Sequence, residues 1–65
     1  MADANLDAVR REFADLTGLF ENAALAASEG QGIKSLGDGR RHFKSIARTM
    51  LRIRKRLVIL ERNLQ

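Results

Sequence analysis

Lys34 and Ser35 end the segment GQGIKS, a combination of residues that raises the question of phosphate binding. A Walker-type phosphate loop needs glycine directly before its lysine, whereas Ile33 precedes Lys34 here. The segment also departs from the dinucleotide pattern G-x-G-x-x-G, because it ends in serine and no strand pattern precedes it. These glycines therefore predict a turn between two elements and not a nucleotide site.

His42 is the single histidine of the chain, and Asp38 stands four residues before it. Acid–base catalysis requires a nucleophile and an orienting group that converge with the base on a pocket. A slim helical chain offers little room for such a pocket, and one histidine without any cysteine does not complete a structural zinc site. We expect His42 to be a surface residue. We also expect no catalytic residue, cofactor, metal, small-molecule substrate or enzymatic activity.

The strongest chemical signal is positive charge in the second half. Residues 1–32 hold two basic and six acidic groups, and residues 33–65 hold ten basic and two acidic groups. In a heptad frame with Phe43 at position a, four cations fall at f, furthest from a helical core, and two more lie beside them at b and c. We name this column and its flanks the basic ridge: Arg41, Lys44, Arg48, Arg52, Lys55 and Arg62.

The basic ridge has two interpretations. It is either a solvated outer face or a contact surface for an acidic protein or for the phosphates of RNA or DNA. Charged outer faces are normal for amphipathic helices, which supports the solvated face, whereas a face that serves solubility alone normally mixes charge signs, which supports a contact surface. Tyrosine and tryptophan are absent and the three phenylalanines fall in the apolar stripe, so recognition of individual bases has no support.

Apolar residues in both halves recur in alternating steps of three and four, which predicts two amphipathic helices. A strand would need alternation with period two, and neither half shows it. The predicted core of the hairpin and its dimer consists of these stripe residues: Leu6, Val9, Phe13, Leu16, Phe20, Ala23, Ala27, Phe43, Ile46, Met50, Ile53, Leu57, Leu60 and Leu64.

The pattern predicts one all-α domain over residues 1–65, with helix one at about 5–29, a glycine-rich joint at 30–38 and helix two at about 39–64. We expect Gly30 to end helix one in a left-handed conformation, and Asp38 or Ser35 to cap helix two. Equal helices and a short joint favour an antiparallel hairpin in which facing residue numbers add up to about 70. This register places Glu12 near Arg56 and Arg10 near Glu61.

A two-helix hairpin leaves one side of its apolar stripe exposed to water. A chain of 65 residues without cysteine has no disulfide to compensate for the small buried core. We therefore predict that two hairpins form a homodimeric four-helix bundle. This layout is similar to that of the Rop family of plasmid-encoded hairpin dimers, in architecture alone, so no binding residue carries over.

Several apolar residues lie off the stripe. Leu51, Val58 and Ile59 fall at b and c of helix two, and Leu19 and Leu25 at g and f of helix one. They fit either the flank of a wide bundle core or a docking strip, formed by Leu51, Val58 and Ile59, for a protein partner. Gly18, on the outer face of helix one, is either tolerated there or marks a close approach by another chain.

The longest uninterrupted apolar run, AALAA, is far too short to span a bilayer, and the N-terminal MADANLD lacks a secretory pattern. We expect a soluble, cytoplasmic protein. Binding of helix two to a membrane or in a partner's groove is disfavoured, because helix one competes for the same apolar face.

Overall fold

The computed structural model describes residues 4–65 and consists of two helices that pack against each other. Helix α1 spans Ala4–Gly30, and helix α2 spans Leu36–Leu64. The all-α hairpin predicted from the apolar periodicity is therefore confirmed for the described part of the chain. Residues 1–3, which the predicted domain includes, lie outside the described residues.

Helix α1 ends differently from the prediction. No glycine among residues 4–65 has a positive φ, so Gly30 is not left-handed. Instead, the backbone amides of Gln31, Gly32 and Ile33 donate to carbonyls three residues earlier, at 3.2, 3.1 and 3.4 Å. These tight turns satisfy the last free carbonyls of the helix, which removes the need for a left-handed cap.

Helix α2 begins three residues earlier than the predicted bound because Ser35 is its cap. Ser35 has extended backbone angles, and its hydroxyl accepts a hydrogen bond from the Asp38 amide at 3.1 Å. The Asp38 carboxylate instead pairs with Arg41, one turn further on. Of the two candidate caps, the earlier one is therefore used.

The hairpin is one helix thick. Its Cα atoms extend over 55 × 15 × 10 Å, and their radius of gyration is 15.5 Å. A compact chain of this length would have a radius of gyration of roughly 11 Å. Since stable domains are built from at least two packed layers, the monomer lacks the second layer that would enclose a core.

The two helices meet along a seam of half-buried residues at heptad positions d and g, which we call the interhelical seam. On α1 it includes Val9, Glu12, Leu16, Leu19, Ala23 and Ala26, and on α2 His42, Ile46, Thr49, Ile53, Arg56, Leu60 and Asn63. Within the described residues only Leu16, Ile53 and Leu60 are buried, at 3–6% exposure. Val9 and Leu19 pack against these three.

Contacts across the seam confirm the predicted register. Arg56 reaches Glu12 at 3.3 Å and Asp15 at 3.6 Å, and His42 lies 3.9 Å from Glu29. The residue numbers of each pair add up to within two of the predicted 70. Arg10 lies 3.9 Å from Asp7 on its own helix and does not pair with Glu61, so that expected pair is not formed.

Candidate interaction surfaces

The largest apolar side chains of the hairpin face outward. The predicted core divides in two: its d positions lie in the interhelical seam, and its a positions are exposed. We call the exposed set the apolar face: Leu6, Phe13, Phe20, Ala27, Phe43, Met50, Leu57 and Leu64. Its seven large members are 46–69% exposed, and all three phenylalanines of the chain are among them.

Both helices contribute to the same side of the hairpin. Successive residues of a helix turn by about 100°, so position a lies about 85° from the centre of a seam formed by d and g. Both helices use d and g for the seam, and they run antiparallel. Position a of α1 and position a of α2 therefore lie on the same side of the hairpin. The apolar face is therefore one continuous surface along the hairpin.

The apolar face has the size of a protein interface. A large apolar residue exposes roughly 200 Å² when fully accessible, so the observed fractions amount to on the order of 700 Å² per hairpin. A standard-size protein interface buries about 800 Å² on each partner. Contiguous exposed apolar patches of more than a few hundred Å² are uncommon on monomers and mark interaction sites.

A charged pair interrupts the apolar part of the seam. The Glu12 side chain is only 12% exposed, and its Oε1 accepts a hydrogen bond from Arg56 Nη1 at 3.3 Å. Its second oxygen, Oε2, is buried without a hydrogen-bond partner. A half-satisfied buried carboxylate adds little stability, but it disfavours any register that separates it from Arg56.

The basic ridge lies on the outer surface of α2. All six of its residues are exposed, and they lie within a sector of about 100° around position f, which points away from both α1 and the apolar face. Among the arginines and lysines of α2, only Arg41 and Arg56 form ion pairs with described acids. The other five members of the ridge carry charge that no described acid neutralises.

All three residues of the predicted docking strip are exposed. Ile59 borders a shallow groove between the helices on the side opposite the apolar face, together with Leu19, Asp15, Arg52, Lys55 and Arg56. Leu51 and Val58 lie at position b, about 80–100° around α2 from Ile59, and do not border this groove. The three residues therefore extend from the edge of this groove toward the outer side of α2, and their role as a docking strip stays a prediction.

His42 lies near the interhelical turn and is part of the seam. Its Nδ1 is 2.9 Å from the Asp38 carbonyl oxygen, and its Nε2 is 3.9 Å from Glu29. A second open groove near the turn is bordered by these residues and by Asn22, Leu25, Ala26, Arg41, Ser45, Thr49 and Arg52. It contains no cysteine or hydroxyl paired with the histidine. Within residues 4–65, no cluster of His, Cys, Asp or Glu is suited to hold a metal ion.

The division of the stripe into a buried and an exposed half is the feature that the sequence analysis missed. The sequence offers no clear signal for this division, because small residues near the turn occur both in the seam, at Ala23 and Ala26, and on the apolar face, at Ala27. Neither described helix contains a segment long and apolar enough to cross a membrane.

Comparison with known proteins gives no relative of this chain: no family model, no curated protein and no solved structure matches it.

Proposed function

We propose that this chain is a non-enzymatic interaction protein that homodimerises into a four-helix bundle and binds an acidic macromolecule through the basic ridge of α2. The observation that carries the proposal is the apolar face, with its three exposed phenylalanines on a hairpin one helix thick. A chain that leaves this much apolar surface in water gains stability when a partner covers it.

A second copy fits the apolar face geometrically. In a four-helix bundle each helix has two neighbours, in directions about 90° apart, and the core lies between these directions. The seam of each helix points to its first neighbour, and position a points about 85° away, where the second neighbour belongs. Positions a and d together then form the bundle core, as the three-four periodicity predicts.

The residues beside the apolar face permit close approach. At position e, next to position a, α1 carries Thr17 and Ala24 and α2 carries Ala47, which are small side chains in the middle of the face. Position e also carries charged residues: Arg54 near the middle of α2, and Arg10, Arg40 and Glu61 nearer the ends. This arrangement combines an apolar centre with a polar rim, as in protein interfaces.

Dimerisation leaves the basic ridge accessible, because position f points away from the apolar face. Two copies of the ridge present twelve cations, ten of them unpaired with described acids. A linear column of cations suits a linear polyanion, which favours nucleic acid as a second, more specific candidate partner. Neutralising several phosphates would make the affinity fall steeply with salt concentration.

Binding to three probes over a salt titration tests this proposal: a mixed-sequence RNA duplex, a DNA duplex of the same length and polyglutamate. We expect binding to at least one probe at low salt, with an affinity that falls at least tenfold between 50 and 200 mM salt. Binding to the duplexes alone favours nucleic acid, and comparable binding to polyglutamate favours an acidic protein.

The matched variants reverse two charges each. The double substitution Arg48→Glu, Lys55→Glu alters the basic ridge and is expected to abolish binding. The control, Arg11→Glu with Lys34→Glu, changes the net charge equally at exposed residues outside the ridge and is expected to retain most of the affinity. Equal loss in both doubles, or no binding to any probe at low salt, would overturn the role of the ridge.

A further inference from the structure

We infer that the two hairpins pack with their interhelical turns at the same end of the bundle, so that α1 of each copy lies against α2 of the other. This inference rests on the proposed dimer. Two-fold symmetry allows two ways to join the apolar faces of aligned hairpins. In the same-end arrangement α1 lies against α2, and in the opposite-end arrangement α1 lies against α1 and α2 against α2.

The charges of the two helices favour the same-end arrangement. Helix α1 carries five acidic and two basic residues, a net charge of −3, whereas α2 carries nine basic and two acidic residues, a net charge of +7. The same-end arrangement places unlike helices side by side at every contact of the bundle. The opposite-end arrangement places the two +7 helices in direct contact, about 10 Å apart, where screening by salt is incomplete.

The charges on the side of each helix that borders the apolar face, taken together, give the same result. Position e borders this face, and position b, which includes Lys44 of the basic ridge, lies further out; together they hold Asp7, Arg10 and Glu21 on α1, and Arg40, Lys44, Arg54 and Glu61 on α2. These sets have net charges of −1 and +2. They attract each other in the same-end arrangement, whereas the opposite-end arrangement pairs each set with its own copy. Like charges across an interface disfavour an arrangement more strongly than rim pairs stabilise one.

The register of a same-end dimer follows from the hairpin itself. A two-fold axis parallel to the helices keeps every residue at its height, so facing residue numbers again add up to about 70. Arg10, whose expected pair with Glu61 is not formed within the hairpin, then lies level with Glu61 of the partner subunit. Ala27 lies level with the partner's Phe43, so the smallest residue of the apolar face meets its most exposed aromatic ring.

Distances between spin labels decide between the two arrangements, and the chain contains no cysteine that would interfere. Gln31→Cys labels the exposed turn. In the same-end dimer the two labels are separated by about 15–30 Å, the diagonal of the bundle plus the linkers. In the opposite-end dimer they are separated by roughly 50 Å, close to the 55 Å length of the hairpin.

Gly18→Cys serves as the control, because it lies halfway along α1 in open space and gives a measurable distance in either arrangement. A short distance at Gln31 together with a distance at Gly18 supports the inference. A distance near 50 Å at Gln31 overturns the same-end arrangement and leaves the dimer intact. Absence of any intermolecular distance at Gly18 overturns the dimer itself, and the proposed function with it.

Discussion

In an ordinary domain apolar side chains are buried and charged ones are exposed. In this hairpin the interhelical seam holds several polar and charged side chains, and the exposed apolar face holds the largest apolar ones. The seam contains three buried apolar residues but also Glu12, Arg56, Thr49 and His42, whereas the apolar face presents phenylalanine, leucine and methionine to solvent. The polar contacts of the seam therefore determine how the two helices align. Most of the large apolar surface that is still exposed to water lies on the apolar face. In this chain, the charged contacts that align the helices and most of the exposed large apolar side chains therefore lie on different surfaces.

Phe20→Glu gives the largest expected effect, because it places a charge at the centre of the apolar face. We expect self-association to weaken at least about 100-fold, since a desolvated, unpaired carboxylate at an interface costs several kcal/mol. Helicity should fall with dimerisation. Sedimentation equilibrium with circular dichroism measures both. Leu25→Glu is the control, because Leu25 is 60% exposed but lies on another side. Equal self-association of the Phe20 variant and the wild type would contradict the assignment of the face.

Ile53→Ala tests the seam in the same way. Ile53 is 3% exposed, and removing its side chain leaves a cavity beside Leu16, so we expect the free energy of unfolding to fall by about 2–5 kcal/mol. Urea denaturation followed by circular dichroism measures the change. Leu51→Ala, at a 57% exposed residue of the same helix, should cost under about 1 kcal/mol. Similar losses for the two variants would show that the seam is no better packed than the outer surface.

Gly18→Ala provides a baseline that touches neither surface. A methyl group at this position meets nothing within 4 Å, and the glycine lies in the middle of α1 without a positive φ. The substitution should therefore raise the free energy of unfolding by about 1 kcal/mol through helix propensity and leave self-association unchanged. Thermal melts at two protein concentrations test both points. Gly39→Ala should gain less, because its Cβ would lie 2.9 Å from Ile33 Cδ1.

The smallest expected effect concerns the Glu12–Arg56 pair. A double-mutant cycle with Glu12→Ala and Arg56→Ala should give a coupling free energy of about 0.5–1 kcal/mol, because Arg56 is 43% exposed and the carboxylate is only half satisfied. Glu12→Leu should be neutral or stabilising, since an apolar residue fills the same space without a desolvation cost. A coupling above about 3 kcal/mol would show that the pair stabilises the fold and does not serve register alone.

The apolar periodicity was sufficient to predict the hairpin and its register. Unbroken steps of three and four indicate helices, and two stripes of equal length indicate an antiparallel pair. The opposite charges of Glu12 and Arg56 identify the alignment that the structure shows. The end of α1 was predicted to within one residue, but the left-handed conformation of Gly30 was wrong, because a glycine permits that conformation without requiring it. The amides that follow Gly30 satisfy the free carbonyls at an ordinary φ.

The two surfaces themselves could not be separated from the sequence. Positions a and d are equally apolar in a three-four stripe, so periodicity alone does not tell which of them faces the other helix of the hairpin. Packing distinguishes them: Ile46 and Ile53 turn inward with Ala23 and Leu16, whereas Phe43 and Met50 do not. The basic ridge was predictable, because position f is the outermost under either choice.

The outward direction of the basic ridge has a consequence for valency. In a same-end dimer the two α2 helices stand at diagonally opposite corners of the bundle, and each ridge faces solvent on its own side. One dimer then has two separate basic ridges, and a single straight duplex does not contact both of them at once. Such a molecule would hold two polyanionic segments next to each other, and a flexible strand that bends around it would gain avidity from the second contact.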